Sequence, residues 1–189
     1  MSRPFYVCVF CGARTGASPA YAAAATTLGQ RIGERGLGLV YGGARVGLMG
    51  SLADAALAAG APVLGVLPRS LSSVEVAHAG LTELVLVDGL HSRKARMTAE
   101  SDAFIALPGG FGTLDELFEA LTWAQLGLHT RPLGLLNVDG FWDSLVATID
   151  RQVAQGFVTA SDRARLSVEG TADALLDALG APGGQPPAG

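Results

Sequence analysis

Residues 108–116, Pro-Gly-Gly-Phe-Gly-Thr-Leu-Asp-Glu, place three glycines, a hydroxyl and a carboxylate directly after the apolar run Ala103 to Leu107. That run has the length and character of a strand buried in a sheet. Gly109, Gly110 and Gly112 let the backbone take positive φ and turn its N–H groups into a concavity, and Leu114, Leu117, Phe118 and Leu121 then follow helical spacing. A strand, a glycine nest and a helix N-terminus predict an anion site. Glu116 is what a plain phosphate loop lacks: in the first helical turn it would repel a bound phosphate, so it is expected to face another part of the ligand. The stretch Thr113-Leu114-Asp115-Glu116 also fits a capping box, in which the acid only reaches back to the Thr113 N–H, and the helix dipole favours such an acid by about 0.3–1 kcal/mol. Local sequence leaves both roles open.

A second group of chemically capable residues is His91-Ser92-Arg93-Lys94-Ala95-Arg96-Met97, with three cations within four positions. It fits a solvated helix face. Arg93 and Met97, however, share one face at i and i+4, so an inward Arg93 would lie against apolar packing and require an anionic partner, either Glu116 or a ligand phosphate. The loop Gly42 to Gly47 contains G-x-x-x-x-G, yet Leu48 and Met49 stand where a Walker loop needs Lys and Ser or Thr. Neither glycine cluster gives G-x-G-x-x-G, which speaks against a nicotinamide dinucleotide.

These groups need a scaffold, and the chain supplies one in its hydrophobic pattern. Apolar runs at 5–11, 37–41, 62–67, 84–87, 103–107 and 133–137 alternate with helix-like segments. The runs are continuous, as in strands covered on both faces, and predict a doubly wound, Rossmann-like α/β parallel sheet in one domain, residues 1–179. Helices are expected from Ser18-Pro19 to near Gly36, from Leu48 to Ala59, and over about 90–100, 114–127, 141–155 and 171–179. Residues 180–189, rich in Gly and Pro, are expected to be a disordered tail. In such sheets ligands sit beyond the carboxyl ends of the strands, so the candidate walls are Gly12–Gly16, Gly42–Gly47, Pro68–Ser70 and 108–116.

Composition removes other classes. The net charge of −4 in 189 residues argues against nucleic acid, whose binding needs clustered Lys and Arg. No apolar run approaches the roughly 20 residues of a membrane span and no signal peptide is evident, so a cytoplasmic protein is expected. Cys8 and Cys11 form C-x-x-C inside a strand-like run, where a structural role is favoured over redox or zinc chemistry. His78, His91 and His129 are far apart in sequence, no metal site is expected, and neither His78 nor His91 receives a role.

Taken in order, Cys8 to Gly12, Tyr41 to Ala44 with Gly47 to Gly50, His91 to Met97, Pro108 to Glu116 and Thr122 to Gly127 resemble the LOG (Lonely Guy) family of cytokinin riboside 5′-monophosphate phosphoribohydrolases, often labelled lysine-decarboxylase-like. The resemblance covers about residues 5–175, and Arg93-Lys94 together with P-G-G-x-G-T-x-x-E is its specific mark. It implies hydrolysis of the N-glycosidic bond between an adenine-type base and ribose 5-phosphate, with no cofactor. The family's catalytic pair falls on Arg93 and Glu116. Its substrate contacts fall on Glu75, Arg93, Lys94, the run Gly110, Phe111, Gly112, Thr113, Leu114, Asp115 and Glu116, and on Thr122. Gly42, Gly43 and Gly109 are further candidates for the phosphate or base loops. Leu90, Phe111 and Asp115 stand where many members have Met, Tyr and Glu, which touches only a hydroxyl contact at Phe111.

Three other readings share parts of this pattern. A non-catalytic nucleotide or molybdenum-cofactor carrier of the same architecture would not need both Arg93 and Glu116. A pyridoxal-phosphate decarboxylase would need a Schiff-base lysine, and Lys94 is the chain's single lysine. An AMP nucleosidase differs only in the base pocket. The resemblance also implies a homodimer, with the helix carrying Trp123 and Gln125 near the interface.

Overall fold

In a computed structural model that describes residues 3–72 and 77–183, the chain forms one parallel sheet of seven strands between two helical layers. The strands are β1 Tyr6–Phe10, β2 Gly38–Tyr41, β3 Val63–Pro68, β4 Glu83–Val87, β5 Ala103–Ala106, β6 Leu133–Leu136 and β7 Leu166–Glu169. The helices are α1 Pro19–Glu34, α2 Gly47–Ala58, α3 Arg69–Ser72, α4 Leu90–Ala99, α5 Phe111–Gln125, α6 Asp143–Ala154, α7 Ala160–Arg163 and α8 Ala172–Ala178, with a 3-10 turn over Val138–Gly140. The expected α/β sheet is present, with one strand more than the sequence pattern predicts.

Strand order is β4-β3-β2-β1-β5-β6-β7. The chain therefore winds outward from β1 to β4 and then restarts on the other side of β1 with β5. Their neighbouring carboxyl ends form the topological switch point, where the loops diverge and leave a crevice. Side chains alternate along each strand into two cores. Val7, Val9, Leu39 and Ile105 meet α1, α2 and α8, whereas Cys8, Phe10, Val40 and Phe104 meet α4, α5 and α6.

Helix ends follow local chemistry. Ser18 caps α1 by accepting from the Ala20 N–H, with Pro19 at the first helical position, and Gly36 follows the helix at φ 69°. Ala181 packs into the core that α8 helps to close, while residues 184–189 of the expected tail lie outside the described residues.

Two expectations around residues 108–116 need correction. The helix starts at Phe111 with Gly110 as its N-cap, three residues before Leu114, so Glu116 belongs to the second turn. None of Gly109, Gly110 and Gly112 has positive φ. Their smallness matters for another reason. A Cβ on Gly109 would lie 2.0 Å from Thr113 Oγ1, whereas around Gly110 and Gly112 there is open space.

Candidate active site

The crevice at the switch point is a cavity of about 570 Å³. Its walls come from the loop Gly12–Gly16, from Gly42 after β2, and from Pro108 to Thr113 after β5. Tyr21 of α1, Leu48 and Met49 of α2, Arg93 of α4, Glu116 of α5 and Phe141 complete it. Of the four candidate loops, Pro68–Ser70 does not line the cavity; Pro68 ends β3 and the next residues begin α3.

At its inner end Arg93 and Glu116 meet. Arg93 Nη1 donates to Glu116 Oε1 at 2.7 Å, and Arg93 Nε donates to the Val66 carbonyl at 3.1 Å. Their side chains are 16% and 8% exposed, so the pair is nearly removed from water yet open to the cavity. The helix start at Phe111 explains the inward aim: a turn and a half along α5, the same face carries Thr113, Glu116, Leu117 and Ala120, all buried. The capping reading falls with this geometry, since the Glu116 carboxylate pairs with Arg93 and stands beyond the helix start.

Burial pushes the Glu116 carboxyl above its ordinary value, and the Arg93 guanidinium pulls it partly back. A carboxylate so placed suits proton transfer or the stabilisation of a developing positive charge. Cys11 lies in the cavity floor beside this pair. Burial first and the Glu116 charge second push both the Cys8 and Cys11 thiols well above the ordinary range, so neither is an activated nucleophile. Among the described residues no group of three or more His, Cys, Asp or Glu side chains converges as a metal site.

The outer part of the cavity is a different environment. Gly109, Gly110, Phe111 and Gly112 bring backbone to its edge at the N-terminus of the 15-residue α5, where free N–H groups and the helix dipole favour an anion. Tyr21 and Phe141 face each other edge-on, ring centroids 5.6 Å apart, as an aromatic side wall. Phe141 is set there by a strained turn: Asp139 has φ 50°, Asn137 Oδ1 accepts from the Trp142 N–H at 2.8 Å, and Asn137 Nδ2 donates to Asp143 at 2.7 Å.

The structure thus brings Gly42, Arg93, Gly109 to Thr113 and Glu116 to one cavity. It places other candidates elsewhere. Lys94 bonds Asp115 at 3.1 Å and Glu119 at 2.8 Å, tying α4 to α5 behind the pair. Leu114 packs into a core, Gly43 turns the chain at φ 75°, and the Thr122 hydroxyl donates to the Phe118 carbonyl of its own helix. His78 pairs with Asp54 away from the cavity, and His91 is exposed. Glu75 lies outside the described residues. Sequence reasoning missed Tyr21 and Phe141; the Gly140-Phe141-Trp142 run just after β6, at a carboxyl end of the sheet, was the available signal.

An α/β sheet with a glycine-lined helix N-terminus and a buried carboxylate–guanidinium pair at its switch point defines an anion-favouring crevice on a Rossmann-like fold. Residues 49–179 match the family described as "Possible lysine decarboxylase". A probable cytokinin riboside 5′-monophosphate phosphoribohydrolase of Oryza sativa subsp. japonica is 49% identical over 170 residues, 90% of this chain and 76% of the relative. A cytokinin riboside 5′-monophosphate phosphoribohydrolase of Arabidopsis thaliana is 47% identical over 173 residues, 92% of this chain and 81% of the relative. The chain belongs to this lysine-decarboxylase-like family, the LOG family of phosphoribohydrolases. A solved Moco carrier protein from Chlamydomonas reinhardtii superposes with a TM-score of 0.71 at 20% identity, covering 94% of this chain and 96% of that one, a likeness of fold.

Proposed function

We propose that the protein hydrolyses the N-glycosidic bond of cytokinin riboside 5′-monophosphates, and of AMP, releasing free base and ribose 5-phosphate. The carrying observation is the Arg93–Glu116 pair, nearly buried at 2.7 Å in a cavity whose mouth is a glycine-lined helix N-terminus. The names of the plant relatives support the substrate class.

The bond between C1′ and the base nitrogen breaks as positive charge builds on the sugar, and a carboxylate beside C1′ stabilises that charge. Glu116 takes this role and accepts a proton from the attacking water. The water oxygen ends on C1′ and a proton ends on the departing base. Arg93 contacts the ribose and holds the Glu116 carboxylate in the reactive direction. The N-terminus of α5 holds the 5′-phosphate, so binding of a remote group orients the reacting bond. Tyr21, Phe141, Leu48 and Met49 offer the base and its N6 substituent an apolar wall. Water is the only co-reactant, so no cofactor is required.

The protein acts as a homodimer in the cytoplasm. Exposed Phe118, Leu126 and Leu128 along and just beyond α5 support a second copy docking there. Two free cysteines suit a reducing compartment, and no helix among the described residues is long and apolar enough to cross a membrane.

The test is chromatographic detection of free base and ribose 5-phosphate from wild type and Glu116→Gln, each incubated with isopentenyladenosine monophosphate and with AMP. Release by wild type, with turnover lowered by about 10²–10⁴ in the variant, is the expected result. The ratio of the two wild-type rates separates cytokinin activation from general AMP cleavage. No release from either nucleotide, with binding intact, would reduce the protein to a nucleotide binder.

A further inference from the structure

Among the described residues, three side chains lining the cavity carry formal charge, namely Arg14, Arg93 and Glu116. Arg93 and Glu116 neutralise each other at 2.7 Å. A nucleotide phosphate, close to dianionic at neutral pH, therefore meets backbone N–H groups and one uncompensated side-chain charge on entering. That charge is Arg14. Among the described residues its guanidinium makes no hydrogen bond or ion pair, and the side chain is exposed. The contrast with other arginines is informative: Arg3, Arg31, Arg35, Arg96, Arg163 and Arg165 each hold a carboxylate.

The backbone beneath Arg14 is fixed even though its side chain is free. The Gly12 N–H donates to the Pro108 carbonyl at 3.1 Å, and the Leu48 N–H donates to the Gly12 carbonyl at 3.0 Å. Gly47, at φ 59°, approaches so closely that a Cβ there would stand 2.5 Å from Arg14 N. The loop Gly12–Gly16 is thus wedged between the start of α2 and the Pro108-Gly109 turn that leads into the N-terminus of α5. A long cation on a fixed base, sharing one cavity with a helix N-terminus, has the chemistry of a phosphate clamp, because a guanidinium fork matches phosphate oxygens in two parallel hydrogen bonds.

We propose that Arg14 is the phosphate-recognition residue of this cavity: its guanidinium closes over the 5′-phosphate held at the N-terminus of α5 and makes the protein select nucleoside 5′-monophosphates over uncharged nucleosides. The proposal rests on the phosphoribohydrolase reading of the site. Arg14 acts at the end of the ligand remote from the scissile bond. The N-terminus of α5 sets where the phosphate sits and so orients the reacting bond; Arg14, exposed beside it, adds affinity for the seated phosphate in ground and transition state alike, which moves KM and leaves kcat.

The experiment compares full-length wild type, Arg14→Ala and Arg14→Lys in two assays: steady-state hydrolysis of AMP and isopentenyladenosine monophosphate, and calorimetric binding of ribose 5-phosphate, with adenosine as the uncharged probe. Arg14→Ala is expected to raise KM and weaken ribose 5-phosphate binding by the same factor, about 10–100-fold. Its kcat should stay within about twofold of wild type. Adenosine binding and the melting temperature are expected to be unchanged, and Arg14→Lys to fall between, since it keeps the charge and loses the fork. Unchanged KM and ribose 5-phosphate affinity in Arg14→Ala, or a loss confined to kcat, would overturn the proposal. Arg14-dependent binding of ribose 5-phosphate by a protein that releases no base would keep Arg14 and remove the hydrolase reading. Base release by wild type and Arg14→Ala alike, at equal KM, would do the reverse. A wild type that neither releases base nor binds ribose 5-phosphate would remove both.

Discussion

Gly42 lies so close beneath Arg93 that a Cβ there would stand 2.3 Å from the guanidinium Nη2. The atom in the way is the far end of a side chain, with Met49 Sδ next at 3.1 Å, so the fold can yield while the guanidinium cannot stay where it is. Gly42→Ala is therefore expected to move Arg93 off Glu116 and to lower kcat by about 10–100-fold, since displacement near 1 Å costs rates of that order. Chemical denaturation at neutral pH should show a loss no larger than the about 3–5 kcal/mol that full unpairing of the buried Glu116 carboxylate costs. Wild-type turnover in this variant would mean that Arg93 need not hold its observed position.

The pair also sets a pH dependence. Burial holds the Glu116 carboxyl above its ordinary value and the Arg93 guanidinium is the largest influence pulling it down. If the carboxylate is the working form, the acid limb of the kcat/KM profile lies above the ordinary glutamate range, and Arg93→Met, which removes the downward pull, shifts residual activity to still higher pH. Stability follows the same sign. The folded value exceeds the unfolded one, so the native state holds the proton more tightly and stability falls as pH rises through the raised value. Arg93→Met leaves a buried carboxylate unpaired, which costs about 3–5 kcal/mol once Glu116 is ionised and less in acid. Melting curves of both proteins across pH 4–8 check this, the expected gap widening as pH rises.

How much of this was legible in the sequence depends on which residue is asked about. The strands β1, β2, β3, β5 and β6 are continuous apolar runs that are almost wholly buried; the run 84–87 reads the same way and is a strand, but as the edge strand β4 it is exposed to half-buried and not covered on both faces. Leu166 to Glu169 escaped because only Leu166 is fully buried at that sheet edge, leaving no run to read. The inward Arg93 was legible from Met97 four residues on. The start of α5 was not, since Gly-Phe-Gly has poor helix propensity and reads as loop. Moving that start to Phe111 is what carries Glu116 from a capping position to the cavity. Tyr21 and Phe141 were missed for a different reason: an aromatic on an Ala-rich helix or after a Gly turn reads as core until the fold shows which surface it borders, and only the position of Phe141 after β6 hinted otherwise.

Gly109 and Gly112 sit three residues apart yet should respond oppositely to a methyl group. At Gly109 the methyl would meet Thr113 Oγ1 at 2.0 Å and Gly12 N at 3.0 Å, so Gly109→Ala is expected to lose about 1–3 kcal/mol of stability. Gly112 lies inside α5 with nothing within 4 Å of the added Cβ, so Gly112→Ala is expected to gain up to about 1 kcal/mol from helix propensity. Because Gly112 also lines the cavity, the same methyl should weaken nucleotide binding. Melting temperatures together with KM for AMP measure both effects, and a stabilised Gly112→Ala with unchanged KM would place the phosphate elsewhere.

The exposed face of α5 gives the last prediction. Phe118, Thr122 and Leu126 recur every fourth residue on one stripe, with Phe118 40% and Leu126 67% exposed, and Leu128 beyond the helix end is 67% exposed. Packing this stripe against its copy across a two-fold axis would remove apolar surface from water on both chains at once. Phe118→Glu with Leu126→Glu would bring like charges face to face at such an interface. Sizing chromatography with light scattering is therefore expected to give a dimer for wild type and a monomer for the double variant. Neither side chain is part of the buried core, so near-native circular dichroism is expected in that monomer. A wild-type monomer would leave the stripe unexplained as an interface, whereas a double variant that remains dimeric would move the interface to another face of the sheet.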